Sequence, residues 1–217
     1  MNATLRSPHD GFTLGAHRVD ARGARRGGVV VIQEIFGVSD HVIERCASFA
    51  AAGYDAIAPA LFDRVEPGFA AGLDAAGIER GRAAVAASPW PQVIADVQAA
   101  IDALAPPVFV TGLCYGGAVA WLAAARCTGL AAAAGFYGRL INTLLGDAPR
   151  VPTILHYGTR DPSIPLAAVD EVRARYPEVP VYLYDAGHGF CRAGSADHAA
   201  AACALATQRT LAHFAGP

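Results

Sequence analysis

The feature that most constrains this chain is a Gly-x-Cys-x-Gly pattern at residues 112–116, set between an apolar run and an alanine-rich segment. The pattern predicts a short strand, a sharp turn and a helix, forming an elbow that usually presents a nucleophilic serine and here presents Cys114. Glycine is needed at 112 and 116 because strand and helix pack too closely there for side chains. The helix dipole would favour the thiolate form of Cys114. The alternative interpretation is an inert buried cysteine.

The composition indicates one well-packed domain spanning residues 1–217. Of these 217 residues, 53% are hydrophobic and only 17% are charged, so the chain can bury a large core. The net charge of −2 argues against a nucleic acid or a membrane surface as a partner. No apolar run reaches membrane-spanning length, and residues 1–20 lack the apolar core of a signal peptide.

The five cysteines are scattered and include no Cys-x-x-Cys pair. This distribution predicts reduced thiols in a cytoplasmic protein, rather than a disulfide framework or a zinc site. Cys46, Cys127 and Cys203 lie on alanine-rich helical faces and are expected to pack in the core. Because the chain has neither metal-ligand spacing nor a nucleotide-binding fingerprint, we expect no metal and no other cofactor.

Strand and helix patterns alternate along the chain, which predicts an α/β fold with a mostly parallel central sheet and helices on both faces. The β-branched run at 28–33 is typical of a strand buried on both faces. An entry hairpin is expected within residues 4–19. Further strands are predicted at 54–59, 131–137, 151–158 and 179–184, a strand and elbow at 108–117, and helices at 40–52, 72–87, 93–104, 165–176 and 195–214.

Two residues after the elbow complete a candidate catalytic constellation. Asp161 and His188 each follow a predicted strand, so both are expected at the sheet edge that carries Cys114. The order nucleophile, acid, histidine is the one found with this kind of elbow. His188 would take the thiol proton and later activate water, while Asp161 would hold the imidazole in the correct tautomer. Asp185 is a rival acid, but it lies too close to His188 along the chain to reach around the imidazole.

Glu34 ends the buried strand at 28–33, where an ionised carboxylate is costly unless it is paired. One interpretation pairs it with an arginine or with backbone amides. The other makes it a partner of the Cys114 thiol that accepts the proton and controls formation of the thiolate. The sequence leaves both open.

With these residues the chain resembles the dienelactone hydrolases, a family of the α/β-hydrolase superfamily, over nearly its whole length. The resemblance is carried by Gln-Glu-Ile-Phe-Gly at 33–37, Gly-Leu-Cys-Tyr-Gly-Gly at 112–117, Asp161, Gly-His-Gly-Phe at 187–190 and Arg-Thr-Leu at 209–211. It implies an α/β-hydrolase fold and cofactor-free hydrolysis of enol-lactones that carry a carboxylate, such as dienelactone, to maleylacetate.

The resemblance also implies a site composed of a triad, a carboxylate that contacts the resting thiol, two oxyanion-hole amides and three substrate-binding side chains. The triad is Cys114, His188 and Asp161, and the carboxylate that contacts the thiol is Glu34. The oxyanion-hole amides are the backbone N–H groups of Ile35 and Tyr115. The substrate-binding side chains are Arg82, Arg192 and Phe36. The elbow independently requires the two amides, one after the nucleophile and one from the first strand's loop. In the family, two arginines bind the substrate carboxylate, and these correspond to Arg82 and Arg192.

The chain departs from the family pattern at two positions. A pocket aromatic residue of the family corresponds to Ala86, or to Val85 with a shift of one residue, and Gly189 stands where the family often has serine. Both changes remove hydrogen-bonding side chains. They bear on which lactone is the substrate rather than on the hydrolytic chemistry.

The sequence therefore predicts a hydrolase of small, anionic lactones or esters, with no nucleic-acid or membrane partner, acting as a monomer or weak homodimer. A general carboxylesterase or thioesterase is the alternative among enzymes. A catalytically silent binding protein, or a redox sensor that pairs Cys114 with Cys191, is the alternative of a different class.

Overall fold

A computed structural model describes residues 1–216; Pro217, the last residue of the predicted domain, lies outside the described residues. Within residues 1–216, eight strands form one sheet in the order β1-β2-β4-β3-β5-β6-β7-β8. The pairs β1–β2 and β2–β4 are antiparallel, and all the others are parallel. The strands are β1 Ala3–Arg6, β2 Thr13–Val19, β3 Gly27–Ile32, β4 Tyr54–Pro59, β5 Val108–Leu113, β6 Leu130–Phe136, β7 Thr153–Gly158 and β8 Val181–Tyr184.

In the described part of the chain, six α-helices and one 3₁₀ helix connect or flank these strands. They are α1 Asp40–Ala51, α2 Ala75–Ala86, α3 Trp90–Asp102, α4 Tyr115–Arg126, the 3₁₀ helix Arg139–Leu144, α5 Leu166–Arg175 and α6 Ala200–Ala215. Strand β3 shows that both sheet faces are covered, because its successive side chains enter different cores. Val29 and Val31 pack with α1 and α6, whereas Val30 and Ile32 pack with α3. The predicted entry hairpin and the predicted mostly parallel sheet are confirmed.

The structure differs from the predicted elements in several places. Helix α3 begins at Trp90, before the predicted residue 93, because Pro91 fits the first turn of a helix, where its missing N–H is not needed. Helix α6 begins at Ala200 instead of 195, since residues 195–199 form a bend, a turn and irregular backbone. The 3₁₀ helix that follows β6 has no counterpart in the predicted elements. Among residues 1–216, no helix is both long and apolar enough to cross a membrane.

The prediction that all five cysteines are reduced is wrong for one pair. Cys191 and Cys203 form a disulfide, with their Cα atoms 4.9 Å apart. Cys191 lies on the loop after β8 and Cys203 in the first turn of α6, so the bond ties the loop that follows His188 to that helix. Sequence spacing did not reveal the pair, because only the fold of this loop brings the two sulfurs together. Cys46 and Cys127 are buried free thiols, as expected.

A buried polar network around His156 joins β7, β8 and α6. Its Nδ1 lies 2.8 Å from the Tyr184 hydroxyl and its Nε2 lies 3.0 Å from Thr210 Oγ1. Thr210 Oγ1 donates to the carbonyl of Ala206, and Arg209 donates to the Tyr184 hydroxyl, so Nε2 carries the proton and Nδ1 accepts. Burial, followed by the charge of Arg209, lowers the pKa of His156 to about 3.

This network should make the free energy of unfolding depend on pH. The unfolded chain protonates the histidine near pH 6.5, but the folded protein does so only near pH 3. Stability should therefore fall as pH falls through that interval, by at most about 1.4 kcal/mol per pH unit from this group. Urea unfolding between about pH 7 and about pH 4 measures the slope. His156→Gln keeps one donor and one acceptor without the titration, so its slope should be shallower; equal slopes would contradict the prediction.

Candidate active site

The elbow between β5 and α4 holds Cys114 in a conformation that side chains rarely adopt. Its φ is 55° and its ψ is −114°, and Tyr137 is the other non-glycine residue with positive φ among residues 1–216. The backbone approach is as close as the pattern predicted: a Cβ on Gly116 would lie 2.5 Å from the carbonyl oxygen of Ile32. A backbone this strained persists only where the surrounding packing enforces it, and such strain is typical of functional sites.

Cys114, His188 and Asp161 lie in one hydrogen-bonded chain at the carboxyl ends of β5, β8 and β7. His188 Nε2 lies 3.2 Å from Cys114 Sγ, and His188 Nδ1 lies 2.6 Å from Asp161 Oδ2. The other oxygen of Asp161 accepts the backbone N–H of Ser163 at 2.7 Å. The rival acid, Asp185, is 82% exposed and pairs with Arg160.

This environment changes the basicity of the imidazole. Burial alone would lower the pKa of His188, but the hydrogen bonds to Asp161 and Cys114 outweigh burial and raise the pKa to about 10. The raised pKa favours the protonated form of the ring beside the sulfur. The sequence predicted that His188 lies between Asp161 and Cys114, but it did not predict that these partners raise the pKa of His188.

Two backbone N–H groups near the elbow, those of Ile35 and Tyr115, have no backbone acceptor within residues 1–216. Ile35 and Tyr115 both line the cavity above the sulfur. Tyr115 is the first residue of α4, where no intrahelical acceptor exists. These are the two amides that the sequence assigned to an oxyanion hole.

Glu34 and Arg192 form a bidentate ion pair beside this chain. Arg192 Nε lies 2.9 Å from Oε2 of Glu34, and Nη2 lies 3.1 Å from Oε1. The Glu34 side chain is fully buried and that of Arg192 is 14% exposed. Burial alone would lower the pKa of Arg192, but Glu34 raises it.

This ion pair differs from what the resemblance implies. The resemblance implies that Glu34 contacts the Cys114 thiol and that Arg192 binds a substrate carboxylate. In the structure, Glu34 and Arg192 are hydrogen-bonded to each other instead. The Cys114 sulfur faces His188. The alternative in which Glu34 pairs with an arginine describes this structure. Gly189 leaves room for the pair: its φ is 71°, and a Cβ there would lie 2.6 Å from Nη2 of Arg192.

A cavity of about 540 Å³ opens above the sulfur. Phe36 lines it and lies under the Arg192 guanidinium, which is 5.0 Å from the ring centroid. Arg82 also lines it, but its side chain is 64% exposed and pairs with Glu79. Of the two candidates for the missing aromatic position, Val85 lines the cavity and Ala86 is exposed outside it.

Tyr137 is a feature of the site that the sequence analysis missed. Its side chain is fully buried, its ring centroid lies 5.2 Å from that of His188 in an edge-on arrangement, and its hydroxyl has no partner within residues 1–216. Burial, and then the carboxylate of Glu34, raise the pKa of Tyr137 well above its ordinary value. The sequence signal is weak, because an aromatic residue at the end of a core strand is commonplace.

The stability of the Glu34–Arg192 pair can be tested with a double-mutant cycle. Each single change, Glu34→Gln or Arg192→Gln, leaves a buried charge without its partner, whereas the double variant removes both charges. Arg192→Gln should cost about 3–5 kcal/mol of unfolding free energy, and the double variant should cost clearly less than the sum of the singles. Urea unfolding of the four proteins gives the coupling energy.

The exposed pair Glu66–Arg80 provides the matched control. Its side chains are 56% and 49% exposed, so its coupling energy should be below about 1 kcal/mol. Additive costs for Glu34 and Arg192 would show that the buried ion pair does not hold this part of the site together.

The mostly parallel eight-stranded sheet, with helices on both faces and a sharp elbow between β5 and α4, defines an α/β-hydrolase fold. Residues 14–216 match the model of the dienelactone hydrolase family. The chain belongs to that family, whose members act as hydrolases on esters or lactones.

Named relatives agree with this assignment. A carboxymethylenebutenolidase from Pseudomonas putida is 33% identical over 216 residues, covering 94% of this chain and 91% of that protein. A solved structure provisionally assigned as a dienelactone hydrolase, from Klebsiella pneumoniae subsp. pneumoniae, superposes with a TM-score of 0.85 at 27% identity, covering 99% of this chain and 98% of the other. A dienelactone hydrolase-like promiscuous phosphotriesterase from metagenomic libraries has a TM-score of 0.74 at 25% identity, covering 98% and 96%.

No metal centre is evident in the part of the chain that the structure describes. Within residues 1–216, no group of three or more His, Cys, Asp or Glu side chains could hold a metal ion.

Proposed function

We propose that this protein is a cofactor-free hydrolase of small lactones or esters that uses Cys114, His188 and Asp161 as a catalytic triad with a covalent acyl-enzyme. One observation carries the proposal. The Cys114 sulfur lies at the floor of an open cavity, 3.2 Å from an imidazole that is itself fixed by a buried carboxylate. A cysteine kept only for packing would have neither the access nor the charged partner.

The first half of the reaction forms a thioester. Protonated His188 stabilises Cys114 as a thiolate, which attacks the carbonyl carbon of the substrate. The carbonyl oxygen becomes an oxyanion that the N–H groups of Ile35 and Tyr115 stabilise. When the tetrahedral intermediate collapses, the carbon–oxygen bond of the ester or lactone breaks, and His188 donates its proton to the departing oxygen.

The second half restores the enzyme. Neutral His188 takes a proton from water while the water oxygen attacks the thioester carbonyl, and the same two amides stabilise the second oxyanion. Collapse breaks the carbon–sulfur bond and releases a carboxylic acid and Cys114 thiolate beside protonated His188. Asp161 keeps Nε2 of the imidazole directed at the sulfur throughout both halves of the reaction. The proton that the imidazole gives to the departing oxygen is replaced by one from water, so the whole cycle consumes one water molecule per ester bond.

The proposal is tested by turnover and by trapping. The purified protein should hydrolyse members of a panel of dienelactones, aryl esters and acyl thioesters, before and after dialysis against EDTA. Mass spectrometry of an acid-quenched reaction should find the acyl group on the peptide that contains Cys114. Turnover without an acyl adduct, or an adduct on another residue, would contradict the triad.

The panel also separates the alternatives. Highest activity on aryl esters or thioesters would favour a general carboxylesterase or thioesterase. A silent binding protein would hydrolyse none of them. A redox sensor that pairs Cys114 with Cys191 is disfavoured, because Cys191 is already bonded to Cys203.

A further inference from the structure

The segment closed by the disulfide, residues 191–203, supplies a large part of the cavity lining. We call it the disulfide loop. It begins three residues after His188, and the bond between Cys191 and Cys203 joins its two ends. The residues of this loop that line the cavity are Arg192, Gly194, Ser195, Ala196 and Asp197.

Few other bonds fix the shape of this segment. Within residues 1–216, the backbone hydrogen bonds of residues 192–199 stay inside residues 189–203, and the one with the longest span runs from the Ala199 N–H to the carbonyl of Phe190 at 3.0 Å. The side-chain tie to another element is the ion pair of Arg192 with Glu34. The disulfide therefore removes many conformations that an unlinked segment of this length would adopt.

The surroundings of the disulfide favour its reduction. Cys191 is buried, but Cys203 is half-buried and within reach of a reductant. Thr207 Oγ1 accepts a hydrogen bond from Nη1 of the buried Arg45 at 3.1 Å and lies 4.0 Å from the Cys203 sulfur. A sulfur in a disulfide carries no proton, so the Thr207 hydroxyl is the donor. Within residues 1–216, Arg45 forms no ion pair that would compensate its charge.

A nearby positive charge and a hydroxyl donor both stabilise the thiolate that reduction would leave on Cys203. A disulfide whose reduced form is stabilised in this way is easier to reduce. Oxidation of Cys114 would stop catalysis, so the active enzyme must meet thiol reductants. The half-buried disulfide meets the same reductants.

We propose that the Cys191–Cys203 disulfide is a redox-sensitive switch of the cavity: a dithiol reductant opens it, and the opened loop binds substrate more weakly. This inference rests on the proposed function, because it concerns the regulation of the same site. A loop that holds its binding arrangement only part of the time weakens the apparent affinity by that fraction.

The switching reaction is a thiol–disulfide exchange. One thiolate of the dithiol attacks the Cys203 sulfur, the disulfide bond breaks, and Cys191 leaves as a thiolate that takes up a proton. The second sulfur of the dithiol then attacks the mixed disulfide and releases Cys203. The cysteine pair gains two electrons and two protons, and the dithiol is oxidised to its own disulfide. The reverse exchange with an oxidised dithiol closes the loop again.

Peptide mapping tests the bond itself. The two cysteines fall in the adjacent tryptic peptides 176–192 and 193–209, and Cys114 falls in 83–126. After blocking with iodoacetamide, mass spectrometry should find 176–192 linked to 193–209, and should find them separate when the native protein is first treated with dithiothreitol. A free Cys191, a link from 176–192 to 83–126, or a bond that resists dithiothreitol in the native protein would overturn the proposal.

Thr207 is tested as the group that positions a proton donor at Cys203. In redox buffers of dithiothreitol, Thr207→Val should shift the equilibrium constant toward the disulfide by roughly two- to tenfold. Thr207→Ser keeps the hydroxyl and should retain the wild-type value. A wild-type equilibrium constant in Thr207→Val would overturn this role of Thr207.

Kinetics of the oxidised and reduced protein measures the effect on the site. The reduced form is desalted under nitrogen before the assay, so that no dithiol attacks the acyl-enzyme. KM for the best ester or lactone should rise by roughly tenfold on reduction. The value of kcat should stay within about threefold, because Asp161, which lies outside the loop, still holds His188.

Two variants control for the other thiols. Cys191→Ala/Cys203→Ala should show the KM of the reduced form and should not respond to dithiothreitol. Cys127→Ala retains the disulfide and should respond as the wild-type protein does. An unchanged KM on reduction, or an equal response of the double variant, would overturn the switch while leaving the hydrolase proposal intact.

Hydrogen–deuterium exchange makes the test independent of turnover. The amides of residues 192–199 should exchange at least about tenfold faster in the reduced protein, whereas those of α4 should not change. Faster exchange supports the switch even if the wild-type protein hydrolyses no ester or lactone, a result that would refute the proposed function instead. Equal exchange in the two forms would overturn the switch, whatever the turnover.

Discussion

Cys114→Ala should lower kcat/KM for the best ester or lactone substrate by about 10⁴-fold or more. The size of the loss follows from the role proposed for each group in the site. In the proposed mechanism, His188 has no nucleophile to pair with once the sulfur is removed, and the amides of Ile35 and Tyr115 stabilise only the slow attack of water. Steady-state kinetics of the purified variant, with circular dichroism and thermal unfolding to establish that it is folded, measures the effect.

Cys127 provides a matched control on the same helix. Cys127 directly follows the C-terminus of α4, just as Cys114 directly precedes the N-terminus of that helix. Cys127 is buried. Cys127→Ala should cost stability through a small cavity but leave the turnover of the folded protein unchanged. Hydrolysis by Cys114→Ala within tenfold of the wild-type rate would contradict the mechanism.

Alkylation separates the cysteines chemically. Burial raises the pKa of Cys46 and that of Cys127 to about 12, so neither supplies thiolate at neutral pH. Iodoacetamide should therefore label Cys114 in the native protein, and labelling should disappear in Cys114→Ala. Equal labelling of both proteins would mean that the sulfur at the elbow is not the reactive one.

The parts of this protein that could be predicted from its sequence are those governed by local pattern. Alternating strand and helix signals dictate a parallel sheet, and a parallel sheet brings the residues that follow its strands to one edge. For that reason the contact between Cys114 and His188, 74 residues apart, could be anticipated without any knowledge of distances.

The features that escaped prediction depend on which side chain reaches which partner. Nothing local to Glu34 distinguishes a thiol partner from Arg192, which lies 158 residues away. Cys191 and Cys203 carry no paired spacing, and their bond follows from how the loop after β8 folds against α6.

The hydrogen bonds of Asp161 require a carboxylate rather than an amide at this position. Both carboxylate oxygens accept a hydrogen bond, one from His188 Nδ1 and the other from the backbone N–H of Ser163. An amide at this position offers only one acceptor. Either Ser163 then faces an N–H₂ group, or the neutral imidazole adopts the tautomer whose Nδ1 accepts and whose Nε2 already holds a proton, so that it cannot take one from water.

Asp161→Asn should therefore lower kcat/KM by about 10³- to 10⁴-fold, because the change preserves the size of the side chain but disrupts the proton relay. Asp185→Asn is the matched control: it makes the same change at the rival acid, which is 82% exposed and pairs with Arg160, and should leave kcat/KM unchanged. Steady-state kinetics of both variants, with thermal unfolding to compare their stability, decides between the two acids. Activity of Asp161→Asn within tenfold of the wild-type protein, or a larger loss in Asp185→Asn, would show that Asp161 does not orient the catalytic imidazole.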